Sequence, residues 1–105
     1  MRLYISGPMT GLPENNHPAF HAAAAELAAA GYEVINPARP GEPHWEWIDW
    51  MRRAVRDVSE ADGVAVLDGW LDSRGARVEV QLAQGLGLRV LALGAWVRRA
   101  KGAGA

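Results

Sequence analysis

The sequence predicts an α/β fold built on a four-stranded parallel sheet, and three observations carry that reading. Short apolar runs alternate with longer stretches of helical period along the 105 residues. Clusters of glycine, proline and asparagine separate them, as at Gly7–Asn16 and Asn36–Pro43. Helix-start residues, Pro18 and the Ser73/Gly75 pair, stand where the longer stretches begin. A β-α-β-α-β-α-β alternation implies parallel strands joined by right-handed crossovers, with helices on both faces.

Arg2–Ser6, with tyrosine and isoleucine, reads as the first strand, and Gly7–Asn16 as a loop. Pro18 opens a helix whose inward face is Phe20, Ala24, Leu27 and Ala28, and Gly31 ends it. Tyr32–Ile35 is the second strand, stopped by Asn36-Pro37, and the run to Pro43 is loop. A second helix spans Trp45 to Glu60, with Trp47, Met51, Ala54, Val55 and Val58 on one stripe. Gly63–Leu67 is the third strand, and the helix opened by Ser73 and Gly75 runs to Gly85. Leu88–Leu93 is the fourth strand. The simplest order is 2-1-3-4, a flavodoxin/Rossmann-like three-layer sandwich. Residues 1–97 form one domain, and 98–105, rich in Gly and Ala, read as a flexible tail.

Composition excludes several classes. With no cysteine the chain has neither a disulfide framework nor a thiolate metal site. A formal net charge of −1 argues against a nucleic-acid polymer as partner, and Arg98, Arg99 and Lys101 read as a solvated end. No apolar run reaches the length of a membrane span and the N-terminus lacks a signal-peptide pattern, so a cytoplasmic location is expected.

In a sheet of this order, ligands bind beyond the carboxyl ends of the strands where the winding reverses, here between strands one and three. The loops meeting there are Gly7–Gly11 and Asp68–Gly75. Both suit anion cradles: Gly7 and Gly11 permit close backbone approach, Thr10 adds a hydroxyl, and Ser73 and Gly75 precede free helix amides. No Walker lysine and no G-x-G-x-x-G follows either strand, which argues against an ATPase or a dinucleotide enzyme. His17 and His21 are four apart but lack a third ligand, so no metal is expected.

Glu79 falls on the apolar stripe formed by Ala76, Leu82, Ala83 and Leu86, about 6 Å along the helix from Gly75 at ~1.5 Å per residue. Pattern alone leaves three fates open: pairing with Arg74 or Arg77, reaching solvent at the edge of the stripe, or serving chemistry in the crevice. In the last case the helix dipole would keep it ionised, as a carboxylate nucleophile requires, and Tyr4 could orient it. Four of the five tryptophans lie between positions 45 and 70, suited to core, to interface or to stacking on a base.

Leu3-Tyr-Ile-Ser-Gly-Pro-Met-Thr-Gly-Leu12, Pro18-Ala-Phe20, Gly31-Tyr-Glu-Val-Ile-Asn-Pro37, and Trp70 with Ser73-Arg-Gly-Ala-Arg-Val-Glu79 together resemble the nucleoside 2-deoxyribosyltransferase-like group. This group includes the 2′-deoxynucleoside 5′-phosphate N-hydrolases, and the likeness covers residues 2 to about 93. It implies cleavage of an N-glycosidic bond without a cofactor, Glu79 attacking the anomeric carbon and Tyr4 orienting it. Ser6, Gly7, Pro8, Met9, Thr10 and Gly11, with Asp68, Trp70, Ser73 and Gly75, would hold a small-molecule nucleoside or nucleotide. It further implies a homodimer or higher homo-oligomer, pairing being the simplest way to cover a sheet edge left after the fourth strand. One departure stands out. The group carries an aspartate on the second helix where this chain has Ala54, with Asp57 and Asp49 nearby. The alternatives are therefore a nucleotide-binding or sensing domain without catalysis, and a purely structural interaction domain.

Overall fold

The computed structural model describes the backbone of residues 1–104 and side chains through Gly102. Four parallel strands, β1 (Arg2–Ser6), β2 (Glu33–Ile35), β3 (Gly63–Val66) and β4 (Arg89–Ala92), form one sheet in the order β2-β1-β3-β4. The expected architecture is therefore present, each strand trimmed by a residue or two at most from its sequence reading.

Side-chain alternation along β1 assigns the two faces. Leu3 and Ile5 point to one side, where Phe20, Ala23 and Leu27 of α1 (His17–Ala29) complete a buried cluster. Tyr4 points to the other, against Met51, Ala54 and Val58 of α2 (Trp47–Glu60) and Val80 and Ala83 of α3 (Arg74–Gly85). β1 and β3, in the middle of the sheet, are almost wholly buried, as a parallel sheet covered on both faces requires.

Two stripes differ in detail from the sequence pattern. On α1 the inward set is Phe20, Ala23 and Leu27, while Ala28 is exposed. On α2, Trp47 and Val55 are not buried with the rest of the stripe, each being 40% exposed. Glu46, not Trp45, caps this helix, in a reciprocal box with Asp49.

The largest difference lies at the C-terminus. Residues 98–104, expected as a loose tail, continue a fourth helix, α4 (Leu93–Gly104), which starts directly at the end of β4. Ala105, the last residue of the expected tail, lies outside the described residues. Trp96 of α4 is the largest fully buried side chain and packs in the α1-side cluster. Its indole Nε1 donates to the carbonyl of Val64 at 2.8 Å, and its own carbonyl accepts from the Tyr32 hydroxyl at 2.7 Å. The helix thus packs on the sheet face beside α1.

Gly63 is what admits that ring. A Cβ there would lie 2.9 Å from both Cη2 and Cζ2 of Trp96, rigid atoms with nowhere to move. Gly63→Ala is accordingly expected to cost about 1–3 kcal/mol by overpacking, read as a lower urea midpoint at unchanged slope.

Candidate active site

Period-two alternation puts Tyr4 and Ser6 on the same face of β1, one above the other, and α3 crosses that face. Glu79 meets them there. It is buried, 8% exposed, although it is a carboxylate. Its Oε2 accepts from the Tyr4 hydroxyl at 2.9 Å and its Oε1 accepts from the Ser6 hydroxyl at 2.6 Å. Both donors are fully buried. Neither arginine considered from the sequence pairs with it: the Arg74 guanidinium lies over the Trp47 ring, 3.8 Å from its centroid, and no ion pair among the described residues includes Glu79.

The charge state differs from the sequence expectation. Burial pushes the Glu79 carboxyl up from 4.5 to about 7, against the two hydroxyl hydrogen bonds, which favour the ionised form, and with a smaller push from the Asp57 carboxylate. Glu79 is the sixth residue of α3, beyond the first turn where a helix dipole acts strongly. Desolvation wins.

A cavity of about 350 Å³, within the range of small-molecule sites, opens over Glu79. Gly7, Met9 and Thr10 from the loop after β1 line it, as do Ser73 and Gly75 at the start of α3. Ser73 also caps α3, its hydroxyl accepting from the Ala76 amide at 3.2 Å. Further lining comes from Asn15 and His17 before and at the start of α1, and from α2, whose Trp47, Trp50, Arg53, Ala54 and Asp57 are among the residues that reach it.

Other residues expected at the site lie elsewhere. Asp68 and Trp70 line a separate cleft of about 400 Å³ near the ends of β3 and β4, with Leu71, Asp72 and Ala92. That cleft holds no buried ionisable group, so its volume alone does not mark a site. Pro8 and Gly11 shape the loop without lining the Glu79 cavity; the Pro8 carbonyl accepts from Asn16 Nδ2 at 2.9 Å. Ser6, grouped with the ligand-holding loop in the sequence, is a strand residue that binds Glu79 itself.

Of the two acids near Ala54, Asp57 reaches the cavity and Asp49 does not. Asp57 accepts from Arg39 Nη2 at 2.8 Å, while Asp49 serves the α2 cap. Sequence reading missed the residues contributed by Asn15, His17 and Arg53. His17 and His21 stack edge-on at 6.1 Å, and no group of three His, Cys, Asp or Glu among the described residues could hold a metal ion.

These features define a parallel α/β domain carrying a hydroxyl-bound, buried carboxylate beneath a cavity at the carboxyl end of its sheet. The chain belongs to the family described as Domain of unknown function (DUF4406), whose profile matches residues 1–92. No curated protein matches the sequence.

The two hydroxyls make unequal demands on Glu79, the Ser6 bond favouring ionisation more than the Tyr4 bond. Ser6→Ala and Tyr4→Phe are each expected to move the titration of Glu79 to higher pH, Ser6→Ala further. Carboxyl-carbon NMR of the labelled protein reads this directly, and an unchanged titration in both variants would contradict the observed geometry.

Proposed function

We propose that the protein cleaves the N-glycosidic bond of a nucleoside or nucleoside 5′-monophosphate, with Glu79 as nucleophile. One Glu79 oxygen bonds to C1′ of the sugar as the C1′–N bond breaks, and the bonding pair leaves on the base nitrogen, which takes up a proton. Water, or a second base, then displaces the glutamyl ester and regenerates the carboxylate. No cofactor enters this scheme.

The observation that carries the reading is the carboxylate itself: 8% exposed, each oxygen held by a hydroxyl from one strand, on the floor of a ligand-sized cavity. A buried acid held in this way costs stability, which a purely structural role does not repay. Thr10, Ser73 and the α3 amides beside them suit the sugar and a 5′-phosphate. The likeness of the G-P-M-T-G and S-R-G-A-R-V-E stretches to the deoxyribosyltransferase-like group points the same way. Asp57 is the other carboxylate lining the cavity, held there by Arg39, and the departing base takes its proton from water.

Ala54 favours a second reading, binding of a nucleotide without turnover, because it presents a methyl where the resembled group has an acid. Base release measured by chromatography across nucleosides and 5′-monophosphates, in wild type and Glu79→Gln, separates the two. Thermal stabilisation by nucleotide with no base released would favour binding alone.

Self-association goes with either reading. Among the described residues β4 has no strand partner on its outer side, and Ile48 and Val55 on α2 are exposed, so a homodimer is the expected assembly, measurable by analytical ultracentrifugation. No helix among the described residues is long and apolar enough to cross a membrane, in keeping with a cytoplasmic location.

A further inference from the structure

We infer that Trp50 is a stacking platform for a planar aromatic heterocycle, braced by Trp45 from outside the cavity and by Arg53 at its wall. The inference rests on the function proposed above and specifies how that site would take its leaving group.

Trp50 lines the Glu79 cavity and is 40% exposed, a large apolar surface left open to solvent. It is nevertheless held firmly. Trp45 meets it edge-on, with centroids 5.0 Å apart and planes at 83°. The Arg53 guanidinium lies against both rings, 5.1 Å from the Trp50 centroid and 5.3 Å from that of Trp45. Arg53 is fixed in turn by the carbonyls of Pro40 at 2.7 Å and of Pro37 and Arg39 at 3.1 Å. Gly41 completes the brace, since a Cβ there would fall 2.6 Å from Trp45 Cε3 and 2.8 Å from Trp50 Cη2. The loop after β2 is thus shaped around these two indoles.

Holding an exposed indole still at a cavity wall favours a flat partner, because the ordering cost is met before binding. Trp47, the other indole on that wall, already has Arg74 against its ring. Arg53 stands farther from the Trp50 ring than Arg74 does from that of Trp47, 5.1 against 3.8 Å, which leaves Trp50 the more open of the two. Stacking depends on ring area more than on the hydrogen-bonding edge, so the site accepts both base classes and binds purines more tightly.

The test uses the full chain with Glu79→Gln, which holds ligand without turnover, and reads tryptophan emission during titration. Deoxyguanosine 5′-monophosphate should quench emission and bind more tightly than thymidine 5′-monophosphate. Deoxyribose 5-phosphate, which lacks a base, should bind roughly tenfold or more weaker and leave emission unchanged. Adding Trp50→Leu should weaken the nucleotides roughly tenfold or more and abolish the quench. Trp50→Phe should keep most of the affinity, and Gly41→Ala, outside the cavity, should weaken it. Trp70→Phe should keep the quench.

Equal affinity in Trp50→Leu and its parent, equal affinity for sugar phosphate and nucleotide, or no nucleotide binding at all would overturn the platform. Base release by the otherwise wild-type chain with KM unchanged by Trp50→Leu would also overturn it, while leaving the reaction standing. A Trp50-dependent quench with no base release from wild type would do the reverse.

Discussion

Glu79→Gln is expected to lower base release from a nucleoside 5′-monophosphate by roughly 10³-fold or more while leaving nucleotide affinity within a fewfold. Glutamine fills the same space and its amide oxygen can still accept one of the two hydroxyl bonds, so the fold and cavity survive. What it lacks is an oxygen able to form an ester. In wild type only the ionised carboxylate attacks, and its pKa is about 7, so kcat/KM should rise with pH through the neighbourhood of 7 and then level off. Retention of more than a tenth of wild-type turnover in the glutamine variant would end the nucleophile assignment.

The same substitution should stabilise the protein above neutral pH. Folding raises the Glu79 pKa from 4.5 to about 7, so the folded state disfavours the charged form by about 3 kcal/mol. Below about pH 4.5 the carboxyl is protonated whether the chain is folded or unfolded, and it contributes no penalty. Between about 4.5 and 7 the unfolded chain ionises first, so stability falls as pH rises. Above about 7 both states are ionised and the full penalty stands. Glutamine does not titrate. Urea denaturation should therefore find Glu79→Gln more stable than wild type by up to about 3 kcal/mol at pH 8, the difference shrinking toward pH 4. A difference that stays constant with pH would mean that Glu79 is no more desolvated in the folded chain than in the unfolded one. Gain of stability with loss of turnover from one atom's change is the pattern expected of a residue kept for function.

Much of this was legible from residue order. The β-α alternation implied the sheet order, and the spacing of Ala76, Glu79 and Ala83 put a carboxylate on a buried helix face. Spacing leaves Tyr4 one candidate partner of Glu79 among several, the resemblance implies it, and the hydroxyl meets the carboxylate at 2.9 Å. Ser6 was equally readable, two positions from Tyr4 on an alternating strand, but the turn-rich loop that begins at Gly7 drew it into a ligand-binding role. α4 was hidden for a physical reason. Its first turn, Leu93-Gly-Ala-Trp96, continues the apolar run of β4 with no capping residue between, and an apolar run does not announce where strand becomes helix. Trp47 misled in the other direction, because helical period reports a stripe without saying whether anything lies beneath it. Asp68 and Trp70 were assigned by topology, and a loop following β3 can drain toward either neighbouring strand; these two residues turn toward β4.

Both groups that hold Glu79 are hydroxyls, and a hydroxyl's hydrogen can swing. An amide N–H or a guanidinium in their place could only donate, and would bind the anion well and the neutral acid badly. Ser6 Oγ and Tyr4 Oη can donate a hydrogen bond to a carboxylate, or turn and accept one from a carboxylic acid, without either heavy atom moving. The side chain can therefore pass between charged and uncharged forms inside a rigid socket, and the surrounding packing need not register the change.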